Sequence, residues 1–159
     1  MRGLIGIVGT VGLLAGCTPS AASFTAEHAV SIRDSAQALL AEFSRLSAAA
    51  RWDSLGALYS DRADFRFLES GSIQYASAAA VRAALAGVPA GQRIETRYDD
   101  VAVQALAPGL AVVAARFATE FRDSTTVLFG FGGAISLVLA HEAGGWRIVS
   151  GHSSAPVPR

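Results

Sequence analysis

From Thr25 onward the apolar positions fall into two regimes. Ala29, Ile32, Ala36, Leu39, Phe43, Leu46 and Ala50 recur in steps of three and four, a spacing that lines one face of an α-helix. Thr25 stands where an N-cap belongs. Arg33, Asp34, Gln37, Glu42 and Arg45 fall off the stripe and are expected to face water. A second, short helix sets Trp52, Leu55 and Tyr59 on one side, and Asp61 and Asp64 break it. Phe65-Arg66-Phe67-Leu68-Glu69 then alternates like a strand, Gly71-Ser72 turns it, and Ile73 to Tyr75 returns. Ser77 caps a third helix that runs through Ala86 and is stopped by Gly87 and Pro89.

After Gly91 the period changes to two. Ile94, Thr96 and Tyr98 share one parity, whereas Val101, Val103 and Ala105 share the other. That phase slip predicts a β-bulge at Asp99-Asp100. Beyond the turn at Pro108-Gly109, Val113, Ala115, Phe117, Thr119 and Phe121 form one face. Arg116, Glu120 and Arg122 lie opposite and read as a solvated outer face. Asp123-Ser124 turns the chain into a long strand, Val127 to Ala140, apolar on both faces. Gly130, Gly132 and Gly133 within it predict bending or close backbone approach. Gly144-Gly145 is the last turn, Trp146 to His152 the last strand, and residues 155–159 a tail. Three helices followed by a long-stranded, mainly antiparallel sheet is an α+β order. A sheet this long is expected to curl into a cone-shaped roll around the first helix.

Composition narrows the functions. The 159 residues suit one domain, and hydrophobic residues at 52% supply a core for it. The 13 basic residues, all Arg, balance 13 acidic ones and are scattered. Nucleic-acid binding needs a concentrated basic field, so no nucleic-acid partner is expected. A single Cys excludes an internal disulfide. The three histidines, at 28, 141 and 152, show no HxH or HxxxH spacing. No metal and no cofactor are therefore expected.

The N-terminus has a separate character. Arg2 precedes an uncharged, mostly apolar run from Leu4 to Leu14. A membrane-spanning helix needs about 20 such residues, so this run is short for a span and fits a signal-peptide core. It ends in Leu14-Ala15-Gly16-Cys17, which resembles the lipobox of bacterial lipoproteins. The resemblance implies cleavage after residue 16 and acylation of Cys17, with membrane lipid as the partner of the acylated residue. Several acyl chains meet the two-signal requirement for stable anchoring. The expected location is the cell envelope. Thr18 at the next position implies the periplasmic side of the outer membrane if the host is Gram-negative. Residues 18–24 would form a tether reaching roughly 24 Å at most.

Three stretches from 25 to 154 resemble the SnoaL-like branch of the nuclear transport factor 2-like superfamily. They are Ala50-Arg51-Trp52-Asp53-Ser54-Leu55 with Leu58-Tyr59, the strand order with its inserted helix at Ser77–Ala86, and Gly145-Trp146-Arg147-Ile148-Val149 closing in His152-Ser153-Ser154. The resemblance implies a cone with a pocket at its open end, and homodimers are common among such domains. Trp146, Ile148, Ser150 and His152 share one parity, so an inward-facing Trp146 is expected to bring His152 toward the pocket mouth as a candidate acid or base. Tyr59 and Tyr98 are candidate hydroxyl donors to a ligand oxygen. Asp64 and Glu69 flank the first strand, but the inner positions are mostly Ala, Val, Leu and Phe. The expected function is binding of a small lipophilic molecule through Tyr59, Tyr98, Trp146 and His152. The alternatives are an isomerase, dehydratase or hydrolase using a pocket His or Tyr, and a non-catalytic dimerisation or accessory module.

Overall fold

Thr25 opens the first helix as expected, its hydroxyl accepting from the His28 amide at 3.2 Å while the His28 ring accepts from the Thr25 amide. A computed structural model describes residues 24–155. The expected signal and tether up to residue 23, Cys17 among them, and the tail from 156 lie outside the described residues. Helix α1 spans Ala26–Ala48 and buries Ile32, Ala36, Leu39, Leu40 and Leu46. The stripe expected to reach Ala50 stops earlier. Ala50 sits at φ 52°, the Ala50 amide donates to the Ser47 carbonyl and the Arg51 amide to that of Leu46. This is a Schellman stop with alanine where glycine is usual. Helix α2 (Trp52–Gly56) turns the chain toward strand β1 (Arg66–Glu69). A tight Ser70-Gly71 turn, one residue earlier than expected, leads into β2 (Ser72–Tyr75). Helix α3 (Ala78–Ala86) is capped by Ser77 and ends at Gly87.

Four long strands follow: β3 (Gln92–Ala107), β4 (Leu110–Asp123), β5 (Thr126–Glu142) and β6 (Gly145–Ser154). They join β1 and β2 in one sheet of order β2-β1-β6-β5-β4-β3. All pairings are antiparallel except that of β1 with β6. The fold is thus α+β, with the N-terminal helices packed against a curved, mixed six-stranded sheet.

The core lies between α1 and the inner sheet face. Phe65, Ala111, Val113, Leu137, Leu139 and Ile148 meet Ile32, Ala36, Leu39 and Leu40 there. Each large apolar side chain fully removed from water contributes about 1.5–3 kcal/mol. The predicted β3 bulge is present. Asp99 pairs with Arg116 but Ala102 with Ala114, so Asp100 and Val101 share one partner, and Asp100 adopts φ 52°. That extra residue lets Tyr98 and Val101 both pack inward. Close approach explains the β5 glycines: a Cβ on Gly133 would stand 1.9 Å from the Ser154 carbonyl oxygen, and one on Gly132 2.8 Å from that of Phe117.

Candidate ligand groove

The inner sheet face is built in cross-strand rows. Phe67, Gly151, Leu137, Val113 and Val103 form one row, and Glu69, Ser153, Ile135 and Ala115 the next. Tyr98, Phe117 and Gly133 follow. Helix α1 lays Phe43 across them, its ring edge-on to Tyr98 at 6.2 Å and to Tyr59 at 6.4 Å. Tyr59 in turn meets Phe65 edge-on at 6.0 Å. Edge-to-face contact at these separations suits the quadrupoles of the rings. Tyr59 and Tyr98 are thereby joined through Phe43 into one aromatic wall.

Desolvation raises the pKa of both phenols above the ordinary tyrosine value, and nearby Tyr98 and Tyr75 add to the effect on Tyr59. They are neutral O–H groups throughout the physiological range. Among the described residues neither hydroxyl has a protein hydrogen-bond partner, yet no fully buried side-chain polar atom is left without one. The phenol tips therefore border accessible space. For Tyr98 that space is a groove of about 370 Å³ between α1 and β3, lined also by Leu40, Ala41, Ser44, Thr96 and Val101. Its size falls within the range of small-molecule sites. At Ser44 and Thr96 it continues into a larger, polar groove bounded by Arg45, Glu95, Arg97, Glu120 and Arg122. Those charges are paired: Arg122 contacts Glu120 at 2.8 Å and Glu95 at 3.2 Å, Arg97 contacts Asp99, and Arg45 contacts Glu42. Arg116 pairs with Asp100 on the outer side, as the alternation predicted.

The four expected binding residues do not converge. Tyr59 and Tyr98 share the aromatic wall. Trp146 lies near the start of β6, packed against the core, with its ring 5.7 Å from His141. His152 is exposed. The expected parity fails because β6 is bulged: Val138 pairs with Ser150 but Leu139 with Ile148, leaving Val149 as the extra residue. Trp146 and Ile148 consequently face inward, while Gly151 and Ser153 take the inner positions beyond the bulge. Asp64 pairs with Arg62 at the surface, and Glu69 is half-buried on the Phe67 parity, beside Ser153. Sequence reasoning missed the helix wall of the groove. Leu40 and Ser44 form a second track on α1 that a single-stripe reading leaves to solvent.

No helix of the described residues is long and apolar enough to cross a membrane, and no group of metal-ligating residues occurs among them. No curated protein matches the chain. Among solved structures it is similar to a proposed scytalone dehydratase from Novosphingobium aromaticivorans, with a TM-score of 0.73 at 10% identity over 84% of this chain and 89% of that one. A proposed dehydratase of the NTF2-like family from Streptomyces avermitilis gives 0.68 at 16% identity, covering 81% and 99%. The beta subunit of a benzoate 1,2-dioxygenase from Burkholderia mallei gives 0.62 at 19%, covering 76% and 87%. At such identities the likeness establishes the fold. A sequence-family model, the SnoaL-like domain, matches residues 36–158, and the chain belongs to that family.

Proposed function

We propose that this chain is a cell-envelope lipoprotein whose SnoaL-like domain binds a small lipophilic molecule in the groove between α1 and β3. The observation that carries the reading is Tyr98: a neutral, desolvated phenol without a protein partner, bordering a largely apolar groove of about 370 Å³. Its hydroxyl has no protein partner among the described residues and can donate, so a ligand with a carbonyl, ether or hydroxyl oxygen suits it. Leu40, Ala41 and Val101 would cover the apolar body of that ligand. Tyr59 stiffens the wall through Phe43 rather than touching the ligand directly. Thermal unfolding with a panel of quinones, long-chain ketones and fatty alcohols tests this. A ligand present at about 100 times its Kd stabilises by about 2.7 kcal/mol, and Tyr98→Phe should weaken the binding several-fold. If no member of the panel raises the melting temperature, the reading fails.

The lipoprotein part of the proposal rests on Leu14-Ala15-Gly16-Cys17. Membrane fractionation of a Cys17→Ser variant checks it, with release into the soluble fraction as the expected result.

A further inference from the structure

Thr96 stands two residues before Tyr98 on β3, on the same face of the strand, and lines the same groove. Its hydroxyl is 3.0 Å from that of Thr119, the residue opposite it on β4. The distance permits either hydroxyl to donate, and burial decides between them. Thr119 is buried, and among the described residues its hydroxyl has no other partner. If Thr96 donated, the Thr119 proton would be held away from water without an acceptor, which is costly. If Thr119 donates, its proton is satisfied and the Thr96 proton stays free. Thr96 is half-buried at the groove wall, so that proton can meet a ligand. A hydroxyl that already accepts one hydrogen bond is also the stronger donor, because bonds in a chain polarise one another.

We propose, on the groove reading given above, that Thr96 is a second ligand donor beside Tyr98, and that the groove takes a lipophilic chain bearing two separated carbonyl oxygens. Positions two apart on a strand are spaced by roughly 6.5 Å, so the two donors address successive points along the groove and not one atom. Their order follows from the lining. Thr96 and Ser44 border both the apolar groove and its polar continuation, whereas Leu40, Ala41, Tyr98 and Val101 border the apolar groove alone. The alkyl tail of the ligand therefore lies along Leu40, Ala41 and Val101. One carbonyl meets Tyr98, and the second meets Thr96 where the groove turns polar. Arg97, the charged side chain at this junction, is committed to Asp99. Carbonyls on adjacent carbons are too close together for this spacing, and a δ-keto ester separates them along an extended chain.

Calorimetric titration of the whole chain in mild detergent with methyl δ-oxododecanoate and with methyl dodecanoate tests the proposal. The keto ester should bind about tenfold tighter than the plain ester, the gain from one further hydrogen bond. Thr96→Val keeps the side-chain shape and should remove most of that preference while leaving plain-ester binding within about twofold. Thr96→Ser keeps the hydroxyl and should retain the preference. Thr119→Val should not strengthen keto-ester binding. A several-fold gain there would mean that Thr96 had been giving its proton to Thr119, and it overturns the assignment. Equal binding of the two esters by the parent chain overturns it too, as does a Thr96→Val loss that is the same for both. Should Thr96→Val fail to fold, the double variant with Thr119→Val, which leaves no orphaned proton, carries the same comparison. If neither ester binds but a quinone or fatty alcohol does, the two-carbonyl assignment falls and the groove reading stands. If nothing binds, both fall.

Discussion

Ile148 and His152 stand four residues apart on β6, yet the first is buried under α1 and the second is exposed. Strict alternation would put them on one face. The extra residue at Val149 reverses the phase between them, and its consequence can be measured. His152→Ala should change unfolding free energy by no more than about 0.5 kcal/mol, as is usual for surface substitutions, and should leave ligand-induced stabilisation intact. Urea unfolding with and without ligand checks both. A loss of several-fold in ligand affinity would place His152 in the site after all.

The buried phenols predict an alkaline limit to stability. Tyr59 and Tyr98 have folded pKa values raised above the ordinary tyrosine value, chiefly by desolvation. For an acid with a raised folded pKa, the unfolded chain ionises first. The stabilisation is therefore complete below about pH 10 and is lost as pH rises beyond it. Denaturant midpoints should hold level from pH 7 to 9 and fall steeply above 10. Tyr59→Phe should flatten that fall and cost little at pH 7, because no protein hydrogen bond is lost.

Ala50 offers a direct stabilisation. It occupies the left-handed region at the end of α1, where a Cβ costs about 1–2 kcal/mol. Ala50→Gly keeps both closing hydrogen bonds and removes that contact. The expected gain is about 1 kcal/mol, reduced by the greater freedom of glycine in the unfolded chain, and seen as a higher urea midpoint at unchanged slope.

Gly151 on β6 faces close neighbours. A Cβ there would stand 2.5 Å from Phe67 and 2.9 Å from Leu137. Gly151→Ala should destabilise by about 1–3 kcal/mol through overpacking. Phe65→Ala, at a fully buried position, should cost about 3–5 kcal/mol through the cavity it leaves.

Arg82 ties α2 to α3. Its guanidinium donates to the Gly56 and Tyr59 carbonyls and pairs with Asp61. Exposed ion pairs contribute little, whereas a carbonyl left without its donor contributes more. Arg82→Ala should thus lower the melting temperature clearly more than Asp61→Asn does. Equal effects would assign the clamp to charge alone.

The elements were largely legible because each rests on a local signal. Thr25 and Ser77 cap helices, Gly87 ends one, and the Asp99–Asp100 phase slip betrays its bulge through a change of parity in apolar residues. The bulge at Val149 carries no such signal. Trp146, Ile148, Ser150 and His152 keep an unbroken alternation, and only pairing with β5 shows where the register moves. The groove was legible in one residue, Tyr98. Its helix wall was not, because Leu40 and Ser44 become a pocket lining only once β3 lies alongside. The parallel contact of β1 with β6 is equally non-local, since no short-range pattern distinguishes a parallel neighbour from an antiparallel one.

That contact has a consequence for the order of folding. Strand β6, the last in chain order among the described residues, is an interior strand: it joins the β1–β2 hairpin to the β3–β5 meander. Until it has been synthesised, the sheet exists only as two pieces with no strand between them. Pairings of such long sequence separation are slow to form because the loop must be closed first. A nascent chain lacking its final strand thus has nothing complete to collapse into and should remain sensitive to protease. Under the proposed reading as a cell-envelope lipoprotein, that delay would keep the polypeptide threadable for passage through a translocon.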